Sequence, residues 1–385
     1  MQPNPVCAQY CIDLIRAVML EQVPPAMPEG LSLQTLFAFA KEHSVEVLVF
    51  HGLQQLSPDE ADPVWRHWEN RAQMLLTQSI VQLAERDMVF DHLTQAGMEL
   101  LPVKGTWLKE QYPQIDFRQM ADIDILIHRE DRARAKSLLQ ELDFRPEQGD
   151  EVASYHDGYE KPPYMAVEMH VQLLPGSNAY SRYYDSIWEK ARPVEENSLL
   201  RRLPAEDEYI YYLLHMKKHM EEAGCGIRSI LDCVVYRDVY PDMDRDYLEQ
   251  EYDKLGIWEY VLQVEKLADC WFATGESVPE SLAEMADSVL WAGAYGTLEN
   301  KYRIHLEKLK KKYKNPVVLQ CVYWCSRFFR PLEQMKFFYP ILEKLPFLLP
   351  VFWVTRIVKK LIKKPKALLY HVKQIQREGR ADGKD

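Results

Sequence analysis

The chain has 385 residues, 47% of them apolar, which is enough for two or three domains and a sizeable core in a globular protein. Its net charge of −11 is unevenly spread: residues 301–385 hold 21 Lys and Arg against 6 Asp and Glu, a balance of +15, so the first 300 residues carry −26. An acidic body repels a polyanion, which argues against long nucleic acid as a substrate.

Apolar residues at three and four spacing over 6–22, 31–56 and 64–97 predict a leading group of helices. The period then changes. MELLPV (98–103) predicts a short strand, GTWLKEQY opens a helix, ADIDILI (121–127) predicts a second strand, and REDRARAKSLLQELDF an amphipathic helix. After the turn-forming KPP, YMAVEMHVQLL (164–174) predicts a third strand. From PAEDEYIYYLLHMKKHM (204–220) onward the pattern is helical, broken at GCG. The expected organisation is α+β: a small mixed sheet with helices over 98–200, a helical segment before it (1–97), a helical region after it (201–300), and a basic helical region (301–385).

Asp122 and Asp124 share one face of their strand, while Ile123, Ile125 and Ile127 take the other. Neighbouring ionised aspartates repel, so the pair faces open water or answers to a cation. Lys104, Gly105 and Thr106 stand at a strand-to-helix junction, where glycine and a helix N-terminus suit a phosphate, and Arg118 precedes the acidic strand. In VEMHV, Glu168 and His170 share a face and supply a third acid. Three carboxylates beside a phosphate site suit a divalent ion bridging them to a nucleoside triphosphate. His170 is equally readable as a structural histidine bonded to a backbone carbonyl.

These motifs (KGTWL, an Arg, DIDIL, then VEMH) resemble the nucleotidyltransferase superfamily of DNA polymerase beta type. They are more similar to its uncharacterised bacterial family with KG, YP, R-x-x-x-D-x-D and E-x-H motifs, here Lys104, Gly105, Tyr112, Pro113, Arg118, Asp122, Asp124, Glu168 and His170, with a later KH and GCGIRSILD. Thr106 departs from the usual Gly or Ser, as in AbiEii-type toxin nucleotidyltransferases, and the gap from Gly105 to Asp122 is longer than the common one. The resemblance implies a nucleotidyltransferase sheet, Asp122, Asp124 and Glu168 as catalytic metal ligands for Mg2+ (alternatively Mn2+), and transfer of a nucleoside monophosphate from an NTP such as ATP. It implies nucleotide contacts from Lys104, Gly105, Thr106, Arg118 and His170, and from Lys218, His219, Arg228 and Asp232 on helices across the cleft. Arg228 and Asp232 at i, i+4 also read as an ordinary surface ion pair. The acceptor is open: a small molecule or protein suits the acidic body, a toxin-like enzyme would act on tRNA or protein, and a non-catalytic scaffold would keep only the fold.

His215 and His219 are spaced like a zinc pair, but no third ligand or HExxH glutamate accompanies them, so no metal is expected there. The seven cysteines, at 7, 11, 225, 233, 270, 321 and 325, form no CxxC pair, and MQPNPVCAQY lacks the basic and apolar runs of a signal peptide. Reduced thiols, mostly on apolar helix faces with Cys321 and Cys325 in helix core, and a cytoplasmic location are expected. Residues 337–373 combine an apolar run, too short to span a bilayer, with RIVKKLIKKPK. That segment would lie on an anionic membrane or dock on the acidic body of its own chain.

Overall fold

The computed structural model describes residues 4–294 apart from 58, 148–154 and 177, then scattered positions over 309–339 and the stretch 341–363. The chain divides into two compact units, residues 1–148 with 155–302, and residues 149–154 with 303–385.

In the first unit, capping chemistry sets where the leading helices begin. Asn4 and Asp62 accept hydrogen bonds from Val6 N and Val64 N, with proline at the first helical position in each case, so α1 (Pro5–Met19) and α4 (Pro63–Gln95) start there. Ser32 caps α2 (Leu33–Glu42) through Thr35 N. The single helix expected over 31–56 is two: Ser44, at φ +54°, turns the chain between α2 and α3 (Glu46–Gln54). Both keep the helical apolar spacing, which is why a periodicity argument does not register the break.

Five strands form one mixed sheet in the order β1 (Leu101–Val103), β2 (Ile123–Leu126), β5 (Met165–His170), β4 (His156–Lys161), β3 (Arg145–Pro146). Only β2 and β5 pair in parallel. The three expected strands are present in shorter form. β3 and β4 are additional: HDGYEK is polar, half-exposed and carries an Asp and a Gly, residues depleted in strands, and it is held by its pairing with β5.

One face of the sheet packs Ile123, Ile125, Val167 and Met169 against the end of α4 (Val89, Phe90, Leu93) and against Ala135 and Leu139 of α6 (Arg132–Glu141). A second apolar cluster joins α1–α4 to α8 (Ala205–Glu222), α9 (Ile227–Val239), α10 (Arg245–Leu255) and α11 (Trp258–Ala268). Where α4 passes between these clusters its inner stripe turns polar. Ser79, Gln82 and Arg86 are all buried. The Gln82 amide donates to the carbonyls of Met120 (3.0 Å) and Tyr164 (2.9 Å), and Arg86 pairs with Glu110 at 2.5 Å. Ser79 meets Lys109, which also donates to Arg118 O at 2.7 Å. Burial, then the Arg118 charge, lowers the Lys109 ammonium to about 7. This polar stripe fixes the segment 105–120 that leads into β2.

Cys7, Cys11, Cys225, Cys233 and Cys270 are buried free thiols, as expected, whereas Cys325 is exposed and Cys321 lies outside the described residues. In the second unit, helix Leu349–Lys363 turns Trp353 Nε1 onto Arg330 O at 2.8 Å and leaves Val351, Val354 and Val358 exposed. No helix among the described residues is long and apolar enough to cross a membrane.

Candidate active site

Strand register brings the acids together. β2 and β5 pair with Asp124 opposite Glu168, so both carboxylates rise on the sheet face away from the apolar cluster, with His170 two residues beyond Glu168. Asp122 stands just before β2. Lys104 follows β1 at φ +58°, a conformation rare for a side-chain-bearing residue. Its ammonium ion-pairs with Asp124 and lies 3.9 Å from Glu168 Oε2. The His170 Nε2–H donates to Asp124 Oδ1 at 2.8 Å and lies 3.2 Å from Glu168 Oε2. Of the two readings of His170, the backbone-bonded one does not hold: its Nε2–H meets a carboxylate of the site.

These groups line a cavity of about 270 Å³. Asp122, Asp124, Glu168, Lys104 and Gly105 form its sheet side, and His215, Lys218, His219, Arg228 and Asp232 contribute from α8 and α9. Burial opposes charge on Asp124, but Lys104 and then His170 outweigh it and hold that carboxyl far below its usual range. Glu168 is likewise lowered: burial is overcome by the His170 hydrogen bond and by Lys104. His170 goes up because Asp124 and Glu168 outweigh burial. Asp122 behaves oppositely: burial, then the charge of Asp124, pushes it up to about 7. On the helical wall, burial and the neighbouring Lys218 and Lys104 charges lower His219 to about 4, and burial lowers Lys218.

Arg118 and Asp232, which both line the cavity, are also paired with each other. The Arg118 guanidinium makes a bidentate pair with Asp232, Nε to Oδ1 and Nη2 to Oδ2, both at 2.9 Å. Tyr112 and Tyr212 hydroxyls donate to the same carboxylate at 2.6 and 2.9 Å. Asp232 is 1% exposed, so the surface pair with Arg228 is replaced by a buried clamp, and Arg228 donates instead to Gln119 O at 2.6 Å. Gly105 is required here by space: a Cβ would stand 2.0 Å from Arg118 Nη1. Thr106 is buried behind Gly105 and does not line the cavity.

Tyr155 and His156 also line the cavity and were missed in the sequence. The signal lay in the KPP turn: a hairpin about residue 163 pairs His156 with His170. His215 and His219 approach at 3.1 Å, Nε2 to Nε2.

A buried acidic sheet face opposite a basic helical wall suits an enzyme that transfers a phosphorus-containing group. The chain belongs to a family described as uncharacterised nucleotidyltransferases, whose model matches residues 30–273, from the start of α2 past α11. No curated protein matches it.

The clamp and Asp122 each give a measurable outcome. Asp232→Ala strands a buried guanidinium and should cost about 3–5 kcal/mol in urea denaturation; wild-type stability would exclude the clamp as a structural tie. An unfolded Asp122 titrates near about 3.9. Between there and about 7 the unfolded state releases a proton that the folded state keeps, so Asp122 erodes stability as pH rises through this window. In metal-free protein, Asp122→Asn should raise Tm at pH 8 and leave it unchanged at pH 4.

Proposed function

We propose that the protein transfers a nucleoside monophosphate from an NTP, with release of pyrophosphate, to a hydroxyl or phosphate on a small molecule or protein, using a sheet of the DNA polymerase beta type. The observation that carries this reading is the gathering of Asp122, Asp124 and Glu168 at one cavity, with the Lys104 ammonium paired to Asp124 and close to Glu168. The oxygen donors gathered around that ammonium suit Mg2+ or Mn2+. Asp122, Asp124 and Glu168 would hold the ion, which when bound neutralises phosphate charge and acidifies an acceptor hydroxyl.

The chain's own groups supply the rest. Lys104 and the Gly105 backbone face the phosphates from the sheet side, and Lys218, His219 and Arg228 face them from the helices. His170 orients Asp124 through its Nε2–H. Arg118 and Asp232 act at one remove, fixing the Gly105 junction between them. Glu168, with 31% of its side chain exposed against 6% for Asp124, is the carboxylate within reach of an acceptor entering from solvent.

Incubation with Mg2+ and each labelled NTP, read as pyrophosphate release or self-labelling, tests this reading. Asp124→Ala or a chelator should lower the signal at least about 100-fold, a barrier change of about 2.7 kcal/mol; an unchanged signal in Asp124→Ala would sink the assignment. The same proposal extends to a peripheral location on an anionic membrane. Phe347, Val351, Val354 and Val358 are exposed at four, three and four spacing, in a region whose sequence is strongly basic. Residues 364–373 of the segment lie outside those described. Sedimentation with phosphatidylserine vesicles, lost at high salt and in Val354→Asp, is the expected result; equal binding to neutral vesicles would count against it.

A further inference from the structure

The carboxylates account for only part of the donor set on the sheet face. His156 on β4 stands directly opposite His170 on β5, so its ring rises on the same side as Glu168. One donor atom each from His156, Glu168 and His170 lies within 4.8 Å of the others. The Nδ1 atoms of both histidines are buried without a hydrogen-bond partner among the described residues, and His170 as a whole is 2% exposed. Buried polar atoms are ordinarily satisfied, so two unpartnered ring nitrogens on adjoining strands call for an explanation.

Metal coordination supplies one for His156 Nδ1, with His170 ligating through Nε2 once its proton moves to Nδ1 and its hydrogen bond to Asp124 is given up. Two ligands each about 2.1 Å from one ion at near-tetrahedral or octahedral angles stand about 3–3.4 Å apart. The 3.2 Å from His170 Nε2 to Glu168 Oε2 is of that size. The donor type then decides which ion. Mg2+ demands oxygen ligands and keeps its waters, whereas imidazole suits Zn2+ and later first-row ions such as Co2+ and Ni2+. Two histidines and one carboxylate leave positions open for a further ligand, as in catalytic zinc sites.

We propose that His156, Glu168 and His170 form a nitrogen-containing site for a transition-type divalent ion, selective against Mg2+, beside the carboxylates Asp122 and Asp124. The site deepens the metal-dependent reading above and rests on it only through Glu168, which belongs to both. Its consequence is that the enzyme holds one ion before nucleotide arrives, with the incoming phosphate or acceptor oxygen completing the shell.

The test uses full-length, metal-free protein without nucleotide, titrated calorimetrically with Co2+, Zn2+ and Mg2+. One equivalent of Co2+ or Zn2+ should bind at least about tenfold more tightly than Mg2+, and His156→Ala should weaken Co2+ at least about tenfold. Pulsed EPR on the Mn2+ protein should show nitrogen couplings from two imidazoles, one of them lost in His156→Ala. Equal affinity for Mg2+ and Co2+, or no nitrogen coupling, overturns the proposal. So does tight Co2+ binding that survives His156→Ala and disappears in His219→Ala, which would assign the ion to the His215–His219 pair. If His156→Ala fails to fold, the wild-type nitrogen couplings decide alone. Because no nucleotide is present, absence of pyrophosphate release would sink the transfer reading without touching this one.

Discussion

The constraint on which this protein is organised is a concentration of negative charge on the half-buried wall of a cavity. Parallel pairing of β2 with β5 sets Asp124 beside Glu168, and Asp122 enters from the same edge. Such a group cannot be fully ionised by itself, since each carboxylate raises the cost of the next. The chain answers unevenly. Lys104 and His170 hold Asp124 and Glu168 as anions, while Asp122 is left near neutrality. A site so divided has room for additional positive charge, and the ionisation of Asp122 is the degree of freedom that a cation would draw on.

Holding Lys104 in that role takes an unusual backbone and a support behind it. The residue has a left-handed φ, and the junction that follows it is packed against the Arg118 guanidinium so closely that only glycine fits at 105. Asp232 on α9 grips that guanidinium from the helical half, and α4 grips the loop from below through Ser79, Gln82 and Arg86. A buried ion pair of this kind gives little net stability over an apolar pair, but it is costly to break. Its value here is positional: one carboxylate on a helix fixes the strand-to-helix junction that carries the cationic side of the site.

Local sequence carried much of this. Alternation in DIDIL and VEMH puts the acids on one face and the isoleucines, valine and methionine on the other whatever the strands pair with, and the structure keeps that division. Caps and proline positions set helix starts at Asn4, Ser32 and Asp62. HDGYEK failed as a strand prediction because its composition opposes one, and pairing energy from β5 overrides it. His156 was lost with it. Arg228 and Asp232, four apart on a helix, looked like partners because local spacing is all a sequence displays, yet a buried carboxylate bonds to whatever tertiary packing brings nearest, and that is Arg118 from 114 residues away.

Period and composition thus determined the class of fold and the strand face on which the acids stand, and the motifs carried the resemblance to the family, because those depend on residues close in the chain. Tertiary structure alone decided which cation answers which anion: Lys104 to Asp124, Arg118 to Asp232, His170 to Asp124 and His156 across from it. Those pairings depend on strand register and helix packing between distant segments, and desolvation makes them selective, since a charge removed from water is tolerated only where its partner is already in place.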